Sequence, residues 1–366
     1  MYTENDLVRI AKRENNQKRN YLVVDPLQGK HVPVAPGKAL QVFSELAGLL
    51  EIYKDERLLI VGFAETATAI GACLAIELGA SYIQTTREEL LDVEYLFFSE
   101  EHSHATEQKL VKSDLDEIVD RIDRIIFAED EVTTGKTIWN LITALEQCYG
   151  RKIKFAVASL LNGMPQETME TLASRGIGFH YLVKTRHDKY PEIADRVVDD
   201  GIYHQENVFK AEYTACLDVE GWRNTRRLTD TVEYKETCRK LYEEIRGQLP
   251  LERYRKFLVL GTEEFMFPAL YVGKCLEESG HFVRFHATTR SPIAVSSSAE
   301  YPLHERYELS SLYDEGRRIY VYDIGCYDAV IVITDSQKIG QRGELSLLNA
   351  VRKNNEIVYF VRWCGK

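Results

Sequence analysis

Short apolar runs alternate with helical stretches along most of the chain, the pattern of an α/β fold with a largely parallel sheet. In the first half, apolar runs bounded by turn residues predict strands over 21–25, 57–61, 81–85, 93–99, 124–128, 153–160 and 178–183. Apolar positions at three- and four-residue spacing predict helices over 37–53, 67–78, 136–149 and 166–174. The third shows why: Ile138, Leu141, Ile142 and Leu145 make one apolar face, and Gly150 follows where a helix is expected to stop. From 195 to about 251 the pattern loosens into polar residues, with one amphipathic connecting helix expected over 232–248. A boundary inside this stretch divides the chain into a first domain over 1–210, and a second over 211–366 made of a linker helix and a smaller α/β domain. Regular alternation resumes at 256–260 and runs to 357–363.

The second half reads as a faded copy of the first. LLIVGFAETATAIGACLAIELGASYIQTTRE, 58–88, aligns with FLVLGTEEFMFPALYVGKCLEESGHFVRFHATTRS, 257–291. Gly62 with Gly261, and Glu65 with Glu264, keep one common offset, and the TTR triplets starting at Thr85 and Thr288 lie a few residues further apart. Later, RIIFAEDEVTTGKTIWNLITAL and AVIVITDSQKIGQRGELSLLNAV share an order of strand, acidic loop, glycine and helix.

Composition narrows the partners. The 366 residues carry a formal net charge of −11, which argues against a general nucleic-acid or anionic-membrane surface. No apolar run approaches the ~20 residues a bilayer span requires, and the polar start MYTENDLVRIAKRENNQKRN does not read as a signal peptide. Seven dispersed cysteines without a CxxC pair read as reduced thiols of a cytoplasmic protein, with no zinc site expected.

The segment that carries chemistry is RIIFAEDEVTTGKT, 124–137. A buried strand delivers two adjacent carboxylates, Glu129 and Asp130, then a small hydroxyl-rich loop, then a helix. The loop Thr133, Thr134, Gly135, Lys136 and Thr137 can wrap a phosphate with backbone N–H groups, hydroxyls and the positive helix terminus, and Gly135 permits close approach. A Walker A loop would need glycine where Asp130 stands, and carboxylates beside a triphosphate would repel it. The segment resembles the phosphoribosyl-pyrophosphate motif of type I phosphoribosyltransferases. That resemblance implies Glu129 and Asp130 on the ribose hydroxyls, Thr133–Thr137 on the 5′-phosphate, and Mg²⁺ held by pyrophosphate and ribose oxygens rather than by a protein ligand cluster. At Thr133 hypoxanthine-type relatives carry an aspartate that exchanges a proton with the base. Threonine is the orotate-type residue, so the acceptor is expected to arrive easily ionised or to be deprotonated elsewhere.

Three further segments are candidates. GFAETATAIG sits where relatives hold the leaving pyrophosphate, with Ala64, Glu65 and Thr66 at its tip; by itself it reads equally as a turn opening a helix. SEEHSHATEQK, 99–109, stands where relatives place a hood over the site, and His102 or His104 could neutralise charge on pyrophosphate; a solvated surface loop is the competing reading. Arg87 is a pyrophosphate clamp or a surface arginine.

The whole chain, roughly residues 20–365, resembles a two-domain bacterial family in which an orotate-phosphoribosyltransferase-like domain precedes a TRSP domain. The signature is Thr289, Arg290, Ser291 and Pro292, and GTEEFMFPAL, 261–270, matches the start of that domain. The resemblance implies a Mg²⁺-dependent phosphoribosyl transfer to a small nucleobase-like acceptor, an association with tellurite-resistance-type gene clusters that make a nucleoside-like metabolite, and a homodimer. The second copy lacks TTGKT and keeps one acid, Asp335, so it is not expected to be a second transferase. Glu263, Glu264, Thr288, Thr289, Arg290 and Ser291 still form a polar constellation at predicted strand ends, where α/β sheets bind ligands. A sensor of the donor without turnover, or a ribosyl-phosphate hydrolase using Glu65 as base, are the alternatives to a transferase.

Overall fold

The computed structural model describes residues 2–14, 16, 19–98, 108–150, 153–337 and 341–363. The chain forms two compact units. The first comprises Met1–Glu4, Leu40–Arg186 and Arg223–Lys235; the second comprises Asn5–Ala39, His187–Trp222 and Glu236–Lys366.

The first unit is built on a five-stranded parallel sheet in the spatial order Ser81–Gln84, Leu58–Gly62, Arg124–Val132, Lys154–Asn162, Gly178–Lys184. Leu58–Gly62 is buried at every position, as expected of a strand covered on both faces. Arg124–Val132 is central and outruns its apolar core. The sequence pattern ends the strand at 128, yet pairing of Glu129 with Ser159 and of Val132 with Asn162 carries the ladder through the acidic residues. Neighbouring strands thus override the weak strand preference of carboxylates. Lys136–Tyr149 is a helix over the expected range, with Ile138, Leu141, Ile142 and Leu145 buried. The stretch 37–53 is one α-helix only over Pro36–Gly48. A separate 3-10 turn, Glu51–Tyr53, follows, tightened by bonds such as Leu50 N–H to Ala47 O at 2.8 Å. An antiparallel hairpin, Tyr95–Phe98 with Gln108–Val111, completes the unit.

The second unit repeats this plan. Its parallel sheet runs Phe282–Ala287, Lys256–Gly261, Ala329–Thr334, Val358–Trp363, Ala215–Val219. An antiparallel pair, Glu305–Ser310 with Arg318–Tyr322, stands where the first unit has its hairpin. The equivalence reaches single hydrogen bonds. Thr85 N–H bonds Gly62 O at 2.9 Å, and Thr288 N–H bonds Gly261 O at 3.1 Å. Ala64 N–H bonds Thr85 Oγ1 at 2.8 Å, and Glu263 N–H bonds Thr288 Oγ1 at 2.9 Å. The one permutation is the fifth strand, which in the second unit precedes the others in sequence and falls in the stretch read as irregular.

The units do not part at a single point near 210. Arg9–Lys12 pairs antiparallel with Tyr21–Val24, Val34 bridges Phe285, and Ala294 N–H bonds Lys12 O, so 5–39 folds with the second unit. Conversely, Thr229 bridges Tyr82 and Thr225 Oγ1 donates to Gln84 Oε1, drawing 223–235 into the first.

Candidate functional site

The site of the first unit lies at the C-terminal ends of its parallel strands, where α/β sheets hold ligands. Glu129, Asp130 and Glu131 emerge half-buried at the end of the central strand. Thr133 and Thr134 follow half-buried, then Gly135, then the exposed Lys136 and half-buried Thr137 at the start of the helix. Gly135 has φ +76° and ψ 0°, left-handed geometry that glycine adopts without the cost a side chain incurs. A Cβ there would sit 3.1 Å from Met164 Cε. The left-handed step turns the chain into the helix, and Lys136 N–H reaches Thr134 Oγ1 at 3.3 Å. Beside this loop is a cavity of about 390 Å³ lined by Thr134, Gly135, Lys136, Trp139, Leu172 and Arg175 among others.

The adjacent strand Leu58–Gly62 delivers the second loop to the same edge. Ala64 is buried, Glu65 and Thr66 are half-buried, and the Ala64–Glu65 peptide is cis. Thr66 Oγ1 donates to Asp130 Oδ1 at 2.8 Å, so the two sequence-distant candidate loops meet directly. The loop is fastened from below by residues the sequence reading did not assign. Thr85 Oγ1 accepts Ala64 N–H and donates to Gln108 Oε1 at 2.5 Å, and Gln108 Nε2 donates to Ala64 O at 2.8 Å. All three groups are buried, where such closed networks hold one geometry. Recurrence of TTR in both halves was the signal for Thr85. Gln108 carried none, being one polar residue in a polar segment.

Arg87 is half-buried on the turn after Ser81–Gln84. Its neighbour Thr86 bridges Lys109 of the hairpin, which sets the turn between the loop and the hairpin. His102 and His104 lie outside the described residues. At the next strand end, buried Asn162 Oδ1 accepts Met164 N–H at 2.9 Å and Lys184 Nζ at 3.2 Å; burial lowers the Lys184 pKa. No three His, Cys, Asp or Glu side chains gather as a metal cage among the described residues. The half-buried carboxylates Glu129 and Asp130 are hard oxygen donors of the kind that suit Mg²⁺ contacted mostly through its ligand.

The polar constellation of the second unit is also assembled, but its groups satisfy one another. Glu263 is fully buried, with φ +47°. Its carboxylate accepts from Arg290 Nε at 2.9 Å, Arg317 Nη1 at 2.9 Å and Ser311 Oγ at 2.5 Å, while Arg290 also reaches Glu264 at 3.2 Å. Lys30, with no exposed surface, donates to the carbonyls of Glu263 and Thr288, both at 2.8 Å. The loop equivalent to 63–67 therefore turns one carbonyl oxygen, that of Glu263, toward a cation, and the equivalent of Thr85 supplies the other. Thr288 and Thr289 are fully buried, and Ser291 N–H bonds Thr289 Oγ1 at 3.2 Å. Asp335, the one acid retained from the Glu129–Asp130 pair, accepts from Tyr313 at 2.6 Å.

Residues 7–185 match the family model described as phosphoribosyl transferase, and residues 221–351 match the TRSP domain found C-terminal to it. No curated protein matches the sequence. Solved structures similar to the chain include adenine phosphoribosyltransferase from Rhodothermus marinus, at 17% identity over 50% of this chain and 96% of that one, with a TM-score of 0.35. The Giardia lamblia enzyme in complex with 9-deazaadenine gives 17%, 50%, 96% and 0.38. The Trypanosoma brucei enzyme in complex with AMP, pyrophosphate and ribose-5-phosphate gives 15%, 50%, 77% and 0.33.

Proposed function

From the premise that this chain belongs to the phosphoribosyl transferase family and carries that family's C-terminal TRSP domain, we propose that it moves ribose 5-phosphate from phosphoribosyl pyrophosphate to a small nucleobase-like acceptor. The observation that carries the reading is the bond between Thr66 and Asp130, which joins the loop suited to pyrophosphate to the carboxylates suited to ribose.

Each part has a physical task. The 5′-phosphate sits on the amides of Thr133–Thr137, at a helix N-terminus whose partial positive charge favours a dianion. Glu129 and Asp130 accept hydrogen bonds from the two ribose hydroxyls, fixing the ring while positive charge grows on C1′. Backbone groups of 63–67, held by Thr85 and Gln108, face the departing pyrophosphate. The C1′–oxygen bond to pyrophosphate breaks, and a bond forms from C1′ to the acceptor. Mg²⁺, bound mainly by the donor's own oxygens and approached by Asp130 or Glu129, would supply charge neutralisation for the pyrophosphate.

Threonine at position 133 offers no ionisable group to the acceptor, which favours an acceptor that ionises readily. The test is pyrophosphate release on mixing the chain with donor, Mg²⁺ and a panel of heterocyclic acids and bases. Release that depends on one acceptor, and is lost in Asp130→Asn, is expected. Tight donor binding with no release under any acceptor would replace the transferase by a sensor.

A further inference from the structure

Gly135, the turning point of the loop Thr133–Thr137, rests against the side chain of Met164. A Cβ built on Gly135 would stand 3.1 Å from Met164 Cε and 3.2 Å from its sulfur, with Leu172 Cδ1 at 3.8 Å. Met164 is 1% exposed, so its thioether is a buried floor under the left-handed step of the loop. Methionine adapts to irregular gaps because it is unbranched and flexible. Such a floor is only as fixed as the backbone that carries it.

That backbone is held on several sides. Gly163 N–H donates to Val132 O at 2.8 Å, which ties the segment to the residue before Thr133. Thr185 N–H donates to Asn162 O at 2.9 Å. Asn162, 1% exposed, accepts Met164 N–H on Oδ1 at 2.9 Å. Lys184, the last residue of the edge strand Gly178–Lys184, completes the arrangement. Its Nζ donates to Met164 O and to Asn162 Oδ1, the latter at 3.2 Å, and Met169 Sδ lies 3.6 Å away. One ammonium thus holds the carbonyl of Met164 and also the amide oxygen that holds its N–H. Bonds from a charged donor are the stronger kind. Lys184 is exposed as a residue, yet its ammonium is withdrawn from water far enough for burial to lower its pKa.

We propose that Lys184 is a positioning residue for the loop Thr133–Thr137, fixing Met164 so that the loop keeps the shape that receives a 5′-phosphate. Lys184 touches no reacting group in this account; it acts through Met164, as Thr85 and Gln108 act on the other loop. The inference rests on the reading of Thr133–Thr137 as the 5′-phosphate loop.

Calorimetric titration of the full chain with ribose 5-phosphate, and separately with magnesium pyrophosphate, tests it. Lys184→Met should weaken ribose 5-phosphate binding about tenfold and leave pyrophosphate binding unchanged, because the two ligands report on different loops. Lys184→Arg, which keeps a charged donor, should restore most of the affinity. Lys154→Met, which breaks an ion pair with Glu56 at the opposite end of the neighbouring strand, should leave ribose 5-phosphate affinity at the wild-type value. In a Met164→Ala background, Lys184→Met should add no further loss, since the side chain it acts through is gone. If that background does not fold, the Arg rescue and the pyrophosphate control decide. Ribose 5-phosphate affinity equal in wild type and Lys184→Met overturns the inference and leaves the phosphate-loop reading standing. Equal losses for both ligands, or a full further loss in the Met164→Ala background, overturn it as well. Wild type that binds pyrophosphate but not ribose 5-phosphate sinks the phosphate-loop reading, and the inference with it.

Discussion

Thr85→Val removes one hydroxyl and keeps the side chain's shape. In the native structure that hydroxyl accepts Ala64 N–H at 2.8 Å and donates to Gln108 Oε1 at 2.5 Å. Valine leaves both groups buried without those partners, and each costs about 1–3 kcal/mol. The sum is roughly 2–6 kcal/mol, toward the lower end if Gln108 turns to recover a bond. At about 2–4 °C per kcal/mol for a unit of this size, the melting temperature of the first unit should fall by roughly 4–24 °C, with the lower part of that range applying if Gln108 recovers a bond. The same substitution at Thr288 orphans only Glu263 N–H among the bonds described and should cost about 1–3 kcal/mol in the second unit. Donor affinity separates the two. Thr85→Val should weaken phosphoribosyl pyrophosphate binding, because the loop it releases is the one proposed to face pyrophosphate; Thr288→Val should leave it unchanged. Scanning calorimetry and donor titration on both variants, with Thr85→Ser as the rescue, supply the data. Equal donor affinity in Thr85→Val and wild type, with the expected loss of stability, would refute the role given to the loop.

Three more outcomes follow from the same geometry. Gly135→Ala must place a side chain at φ +76°, costing about 1–2 kcal/mol, and a Cβ 3.1 Å from Met164; donor affinity should fall while Gly79→Ala, at φ +61° in open space at the C-terminal end of the helix Thr68–Leu78, loses stability alone. Glu263→Gln leaves Arg290 and Arg317 without their shared buried carboxylate and should destabilise the second unit by roughly 3–5 kcal/mol in urea unfolding, with donor binding intact. Burial pushes the His286 pKa down to about 4, against 6.5 for the free side chain, outweighing carbonyls at Gly29 and Tyr322. Only the unfolded chain takes up that proton between these values, so stability should drop as pH falls through this window and level off below it; the slope should vanish in His286→Asn.

Much of the first site was legible because its residues are contiguous. Strand, acids, hydroxyl loop and helix follow one another over 124–137, so local pattern alone yields that arrangement. The fastening of the second loop was not legible, since Thr85 and Gln108 act through contacts between distant segments. The duplication was visible in Gly62 and Gly261 and in the two TTR triplets, and the matching bonds of Thr85 and Thr288 give it a structural basis. The fate of the second copy was hidden. Glu263 and Arg290 read as a polar site, yet whether charged groups face a ligand or each other depends on Arg317, Ser311 and Lys30, which no local motif links to them. The strand Ala215–Val219 escaped because its partner, Val358–Trp363, lies far along the chain and only Val219 of its own residues is buried.

The central claim is that Asp130 and Glu129 hold the ribose of an activated sugar phosphate. Its most direct measurement is calorimetric titration of phosphoribosyl pyrophosphate with Mg²⁺ into wild type, Glu129→Gln and Asp130→Asn. Loss of a hydrogen bond to a charged group, about 1.5–3 kcal/mol, predicts affinities weaker by roughly 10- to 150-fold in each variant, with melting temperatures near that of wild type. Absence of binding heat in wild type, or equal affinity in all three proteins, would contradict it.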